Sequence, residues 1–250
     1  MSHYTLEQAL DSELDFKIMM GRVPGFRIVH KFGAMEDANT TLRDVWSFPF
    51  DKTYATTGVI LYAWSTAADV TEMTITGLDE NWAIVTKVVT LTGVTPVTLP
   101  GLWTRVFRVR NETPLAHVGT VYFSRGVTNA PGVPVVGEAE ASSLPLTQGS
   151  QMCHFTVPAG HTSFVKNFHI STTKGKDVRA YGFHRDFGGI FNAEDILSTY
   201  QASDTKPLPY LPFSEKSDFV IRGLSDVTNT YIGATFDLIL VQNDPHLTAV

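Results

Sequence analysis

From about Thr57 onward, apolar and polar positions alternate with a period of two, the signature of strands with one buried face. Gly58–Ser65 reads as one strand. Val70–Thr76 reads as another, with Thr71, Met73 and Ile75 on one face and Val70, Glu72, Thr74 and Thr76 on the other. The turn Gly77–Asn81 leads into Trp82–Thr92. Two strands joined by a tight polar turn make a hairpin, so the sheet here is predicted to be antiparallel. Leu102–Val109 and Val118–Phe123 complete a run of short strands whose spacing suits a sandwich or barrel.

The second half repeats this character. Met152–Val157, the turn Pro158–Gly160, Thr162–Ser171 and Asp177–Arg185 come in order. Phe187–Phe191 holds a Gly-Gly pair that suits a hairpin corner. Asn192–Gln201 reads either as a short helical turn or as a strand, and the next stretch is interrupted by Pro207, Pro209 and Pro212. Asp218–Leu224 and Tyr231–Val241 are closing strands; the last sets Ile232, Ala234, Phe236, Leu238 and Leu240 on one face, the cleanest alternation in the chain. Between the halves, residues 126–150 are rich in Gly, Pro, Ala and Ser, which argues against an internal strand and marks a linker. Residues 1–50 have little patterning of their own: helical spacing over Leu6–Met20, a Gly/Pro turn at Gly21–Phe26 and a brief strand at Arg27–Gly33. The expected fold is all-β. Two tandem antiparallel β-sandwich or jelly-roll-like domains, 51–125 and 151–250, are joined by the 126–150 linker and preceded by an extended N-terminal arm, 1–50, lying against its own domain or a neighbouring subunit.

Composition narrows the function. Val, Ile and Thr make up about a quarter of the chain, which favours strands. A net charge of −6 is the wrong sign for a general polyanion binder, so no specific nucleic acid is expected as partner. No apolar run approaches the roughly 20 residues of a membrane helix, and Met1–Gln8 does not open like a secretory signal, so neither membrane nor export is expected. The single cysteine, Cys153, closes no internal disulfide, which fits assembly in a reducing cytoplasm.

No catalytic constellation stands out. There is no Gly-x-Ser-x-Gly elbow and no phosphate-binding glycine loop. Cys153 and His154 are adjacent on a strand and point to opposite faces, so they do not pair; a buried structural cysteine is expected. The eight histidines make no two-ligand spacing, although His169 and His184 on neighbouring strands would face each other. Glu36-Asp37, Asp79-Glu80 and Glu194-Asp195 read as solvated turn acids. Trp103, Arg105 and Phe107 share one strand face and Arg108 and Arg110 the other, a basic–aromatic cluster read as a strand edge beside an aromatic core. Neither a metal nor a cofactor is expected.

Several segments, in order, resemble the virion structural proteins of tailed bacteriophages, marine ones especially. They are Ile75–Trp82 running into Val88–Gly93, Phe155–Thr162 (FTVPAGHT), Phe187–Phe191 (FGGIF), Ala234–Val241 (ATFDLILV), and the arm's Val23-Pro24-Gly25 with His30–Gly33. The resemblance implies a non-enzymatic β-sandwich component of a virion, assembled in the host cytoplasm. A capsid cement or decoration subunit leads among the roles it implies, with the major capsid protein or other virion proteins as partners and a homo-oligomeric state. It brings no catalytic residues. Contact surfaces are expected on the arm and on aromatic or Pro-rich stretches: Val23, Pro24, Phe26, His30, Phe32, Trp46, Phe48, Phe50, Tyr210 and Phe213.

Two other classes remain. A neck, tail or fibre subunit binding a receptor or host-surface glycan would expose Trp64, Trp82 or Trp103 in a shallow aromatic groove. A tailspike carbohydrate-active enzyme would set paired carboxylates such as Glu194 and Asp195 near an aromatic cleft, and no acid pair shows that spacing.

Overall fold

The strand with the cleanest alternation, β16 (Thr230–Gln242), is flanked on both sides: by β1 (Phe26–Ala38) from the N-terminal end of the chain and by β11 (His161–Thr172), both antiparallel. In this computed structural model, which describes residues 14–127, 132–173, 175–200 and 203–243, that sheet runs β1-β16-β11-β14, with β14 spanning Ser203–Phe213. Facing it is a second sheet of order β10-β15-β12-β13, made of β10 (His154–Thr156), β15 (Asp218–Ser225), β12 (Val178–Arg185) and β13 (Asn192–Thr199); the short β2 (Arg43–Asp44) pairs with β15. Phe168, Ile170, Phe236, Leu238 and Leu240 from one sheet meet Phe155, Ala180, Phe219 and Ile221 from the other. The fold is an all-β antiparallel sandwich, as the alternation implies.

Residues between these elements build a further pair of sheets. One has the order β6-β3-β8-β9: β6 (Val97–Thr98), β3 (Tyr62–Ser65), β8 (Val121–Ser124) and β9 (Ala139–Ser143). The other is β5-β4-β7, from β5 (Ile84–Thr90), β4 (Glu72–Asp79) and β7 (Trp103–Asn111). Met73, Ile75, Leu61, Trp103 and Phe123 fill the core between them. The Met73/Ile75 face is the one the pattern marks as apolar, and both are fully buried.

Two local expectations change, and two stretches that the pattern left open resolve. The stretch read as an arm contributes β1, an edge strand of the C-terminal sandwich, together with a short helix α1 (Leu14–Met19); residues 1–13 lie outside the described residues. The Gly/Pro-rich 126–150 stretch contains a strand after all, since the alanine- and serine-rich β9 pairs with β8 and all five of its residues are buried. Small side chains leave little hydrophobic signal there. The proline-interrupted segment is β14, which lies at a sheet edge, where missing N–H groups cost no ladder bonds. Asn192–Thr199 resolves as a strand, joined to β12 through the turn in which Gly188 has φ 76°.

Gly33 explains how β1 packs so closely. A Cβ there would stand 2.3 Å from the Val45 carbonyl oxygen and 2.6 Å from the Cys153 nitrogen, so no other residue fits without displacement.

Candidate functional site

A chain of buried charges joins the two sandwiches. Arg105, on β7, turns inward and sets Nε 3.0 Å from Oδ1 of Asp218, on β15. Thr156 also donates its hydroxyl to Asp218, and Arg185 reaches the second carboxylate oxygen at 2.7 Å. Arg222 pairs with Asp44 at 2.8 Å. Lys52 is fully buried against Glu140, whose other oxygen lies 3.1 Å from Arg125. Tyr54 stacks beneath the guanidiniums of Arg185 and Arg105, at 4.4 and 5.0 Å from its ring centre. Burial pulls the Lys52 ammonium below its ordinary range, with Glu140 opposing. Lys52, Glu140, Arg105, Asp218 and Asp44 are buried, each against an opposite charge, while Arg125, Arg185 and Arg222 reach in from the surface, and the Arg105–Asp218 pair ties one sandwich to the other. Sequence reasoning placed Arg105 at a strand edge, on one face with Trp103 and Phe107; the irregular register of β7 instead sends Trp103 and Phe107 into different cores and buries Arg105, and nothing local announces that its partner stands 113 residues on.

The chemistry-bearing residues weighed from the sequence do not converge. Cys153 and His154 are both buried, and burial pushes the thiol up and the imidazole well down from their ordinary values. His169 and His184 fall in different sheets, a correction to the expectation that they face each other. His169 bonds the Thr205 hydroxyl, while His184 stacks on Phe213 with ring centres 4.1 Å apart. No group of three His, Cys, Asp or Glu side chains arranged to hold a metal occurs among the described residues.

Of the expected contact residues, Pro24, His30, Phe32 and Phe50 are exposed and Val23 and Phe26 half-buried. Trp46, Phe48 and Phe213 belong to the cores instead: Trp46 and Phe48 pack on each other, and Phe213 is sandwiched between His184 and Phe219. Their aromatic, Pro-flanked setting reads the same in a loop anchor as in an exposed patch. Tyr210 has its backbone in β14, and its side chain lies outside the described residues. His30 hydrogen-bonds Asp237 at 2.6 Å and stacks on Phe32.

A surface that the sequence reading missed lies at one end of the first sandwich. Leu146 is 96% exposed and Val118 77%, with Val70 and Leu115 also exposed on neighbouring loops. Polar side chains beneath hold these loops. Asp69 accepts the Val118 and Gly119 amides, each at 2.8 Å, and the Ser65 hydroxyl. Burial opposes ionisation of Asp69, yet the bonds from Ser65, Val118 and Gly119 hold its carboxyl below the ordinary value. Gln148 accepts from the Asn111 amide and the His117 backbone, and the His117 ring bridges the Gly119 carbonyl and the Ser143 hydroxyl. Apolar side chains are thus carried outward on a fixed polar scaffold. Only the isolated Leu and Val residues in polar loops hinted at this.

No family model matches the chain, and no curated sequence does. Among solved structures, the PBSX exported protein XepA is similar at 8% identity, covering 85% of this chain and 86% of its own, with a TM-score of 0.20. A structure of infectious bursal disease virus, Gx strain, gives 9% identity over 88% of this chain and 72% of that one, at 0.23. The VP2 subviral particle of the same virus gives 9% over 91% and 77%, at 0.20. Scores of that size carry no argument, and the functional reading rests on the chain's own residues.

Proposed function

We propose that this chain is a non-enzymatic structural component of a tailed-phage virion, a capsid cement or decoration subunit that binds the shell of the major capsid protein. The observation that carries the reading is the loop end with Val118 and Leu146 thrust into solvent. Apolar side chains held outward by a rigid hydrogen-bonded base suit a docking element, because little ordering entropy is lost when they are covered. The buried Arg105–Asp218 ion pair between the sandwiches supports a part that must resist mechanical stress, and the collinear phage-like segments supply the particle. A glycan-binding fibre subunit draws less support: Trp64, Trp82 and Trp103 are all buried, so the aromatic groove that role asks for is not built on them.

The test is co-sedimentation of the purified protein with particles lacking it. The Val118→Asp/Leu146→Asp double variant changes only exposed side chains and is expected to melt as the parent does while remaining in the supernatant. Equal sedimentation of parent and variant would contradict the docking role of this surface.

A further inference from the structure

The free edge of β1 opens onto a groove. Gln242 donates its N–H to the Gly25 carbonyl, so in the antiparallel ladder residues 27, 29 and 31 bond β16 while Phe26, Ile28 and His30 turn their backbone groups the other way. Phe32 has the same outward phase, and its carbonyl accepts from the Met152 amide. Before that point, the backbone N–H and C=O groups of Ile28 and His30 meet no partner among the described residues. An edge of this kind is a template for another strand.

Clefts adjoin one another along it. One of about 380 Å³ lies at Gly25–Arg27 and shares Arg27 and Ile84 with the next, of about 310 Å³, which runs to Lys31. That one shares Arg108 with a third of about 410 Å³ beside Phe32. The wall opposite β1 is the outer surface of the β5-β4-β7 sheet, where Thr76 stands level with Arg108. Its charge is one-sided. Arg27 and Arg108 are exposed and have no ion-pair or hydrogen-bonding side-chain partner among the described residues. The nearby acids are engaged: Asp237 with His30 and Asn167, and Glu112 with Arg110.

We propose that this groove receives an extended acidic segment of a partner protein, which adds to Phe26–His30 as a further strand and sets its carboxylates against Arg27 and Arg108. Backbone pairing supplies the hold and the two arginines the selectivity. The inference rests on this edge and not on the particle reading, so either stands if the other fails.

The test uses the full chain and a fluorescein-labelled peptide of about ten residues alternating Glu and Val, long enough to span the free edge. Fluorescence anisotropy at low salt is expected to show this peptide binding at least about tenfold more tightly than its Lys/Val counterpart. The Arg27→Glu/Arg108→Glu variant should lose that preference. N-methylation of alternate peptide amides should abolish binding, and hydrogen exchange should show Ile28 and His30 protected only when the peptide is bound. Equal binding of both peptides, an unchanged double variant, full binding by the N-methylated peptide or protection elsewhere would each overturn the proposal. So would a dimer of the free protein that protects the same amides, since the occupant would then be a second copy.

Discussion

Arg105 and Asp218 form an ion pair 3.0 Å long with each side chain 1% exposed, and they belong to different sandwiches. Neither charge has access to water, so each depends on the other and on the groups around them. The pair ties β7 to β15 at the point where Thr156 and Arg185 also converge.

Asp218→Asn leaves the Arg105 and Arg185 guanidiniums facing a neutral amide. Stranding a buried charge costs about 3–5 kcal/mol, and that loss is expected in urea unfolding of the variant. Arg105→Met should cost a similar amount, and the double variant much less than the sum, because removing both members relieves the stranded charge. Full additivity would show that the two residues are not coupled.

Lys31 is expected to make stability depend on pH. Its ammonium is buried on the Phe107 carbonyl, and burial above all, with Arg108 and Lys52 adding to it, lowers its pKa to about 7 against the pull of Cys153. Between about pH 7 and 10 the unfolded chain holds a proton that the folded chain has released, so stability should rise with pH by about 1 kcal/mol per unit. Lys31→Met should flatten that rise. A parent and variant with parallel profiles in urea unfolding would refute this.

Gly33→Ala should weaken the seating of β1. Its methyl group meets two backbone atoms, the Val45 oxygen and the Cys153 nitrogen, neither of which can swing aside as a side chain would. Overpacking of this kind costs about 1–3 kcal/mol, measurable as a lower urea midpoint. Gly160→Ala, where a Cβ meets nothing within 4 Å but φ is 70°, serves as the comparison for backbone strain alone.

Cys153 reports on the same junction. It is 1% exposed, and burial raises its pKa, so the folded protein should resist a thiol reagent such as DTNB. Labelling is expected to accompany unfolding, with one thiol released per chain in urea. Rapid labelling of the native protein would place the cysteine at an opening surface instead.

Much of the fold was legible because strands with one buried face write their period into the sequence. Tyr231–Val241 and Leu102–Val109 fall within observed strands almost to their ends. The hidden features are non-local or chemically quiet. The strand Ala139–Ser143 buries small side chains and so leaves little hydrophobic trace. The pairing of β1 with β16 joins residues more than 190 positions apart, a relation no local pattern encodes. The buried charges are a second case, since Arg105, Lys52 and Asp218 look solvent-bound until their partners arrive from elsewhere. Of the expected contact residues, His30 and Phe32 are exposed beside the open edge, whereas Trp46 and Phe213 are core, because an aromatic next to proline anchors loops as readily as it binds partners.

The virion reading is tested most directly by copy number per particle, from quantitative electrophoresis of purified virions against the major capsid protein. A cement or decoration subunit should be present in copies comparable with the shell protein, on the order of hundreds. A count near that of a neck or fibre ring would contradict the cement role, and absence from purified particles would contradict the virion reading as a whole.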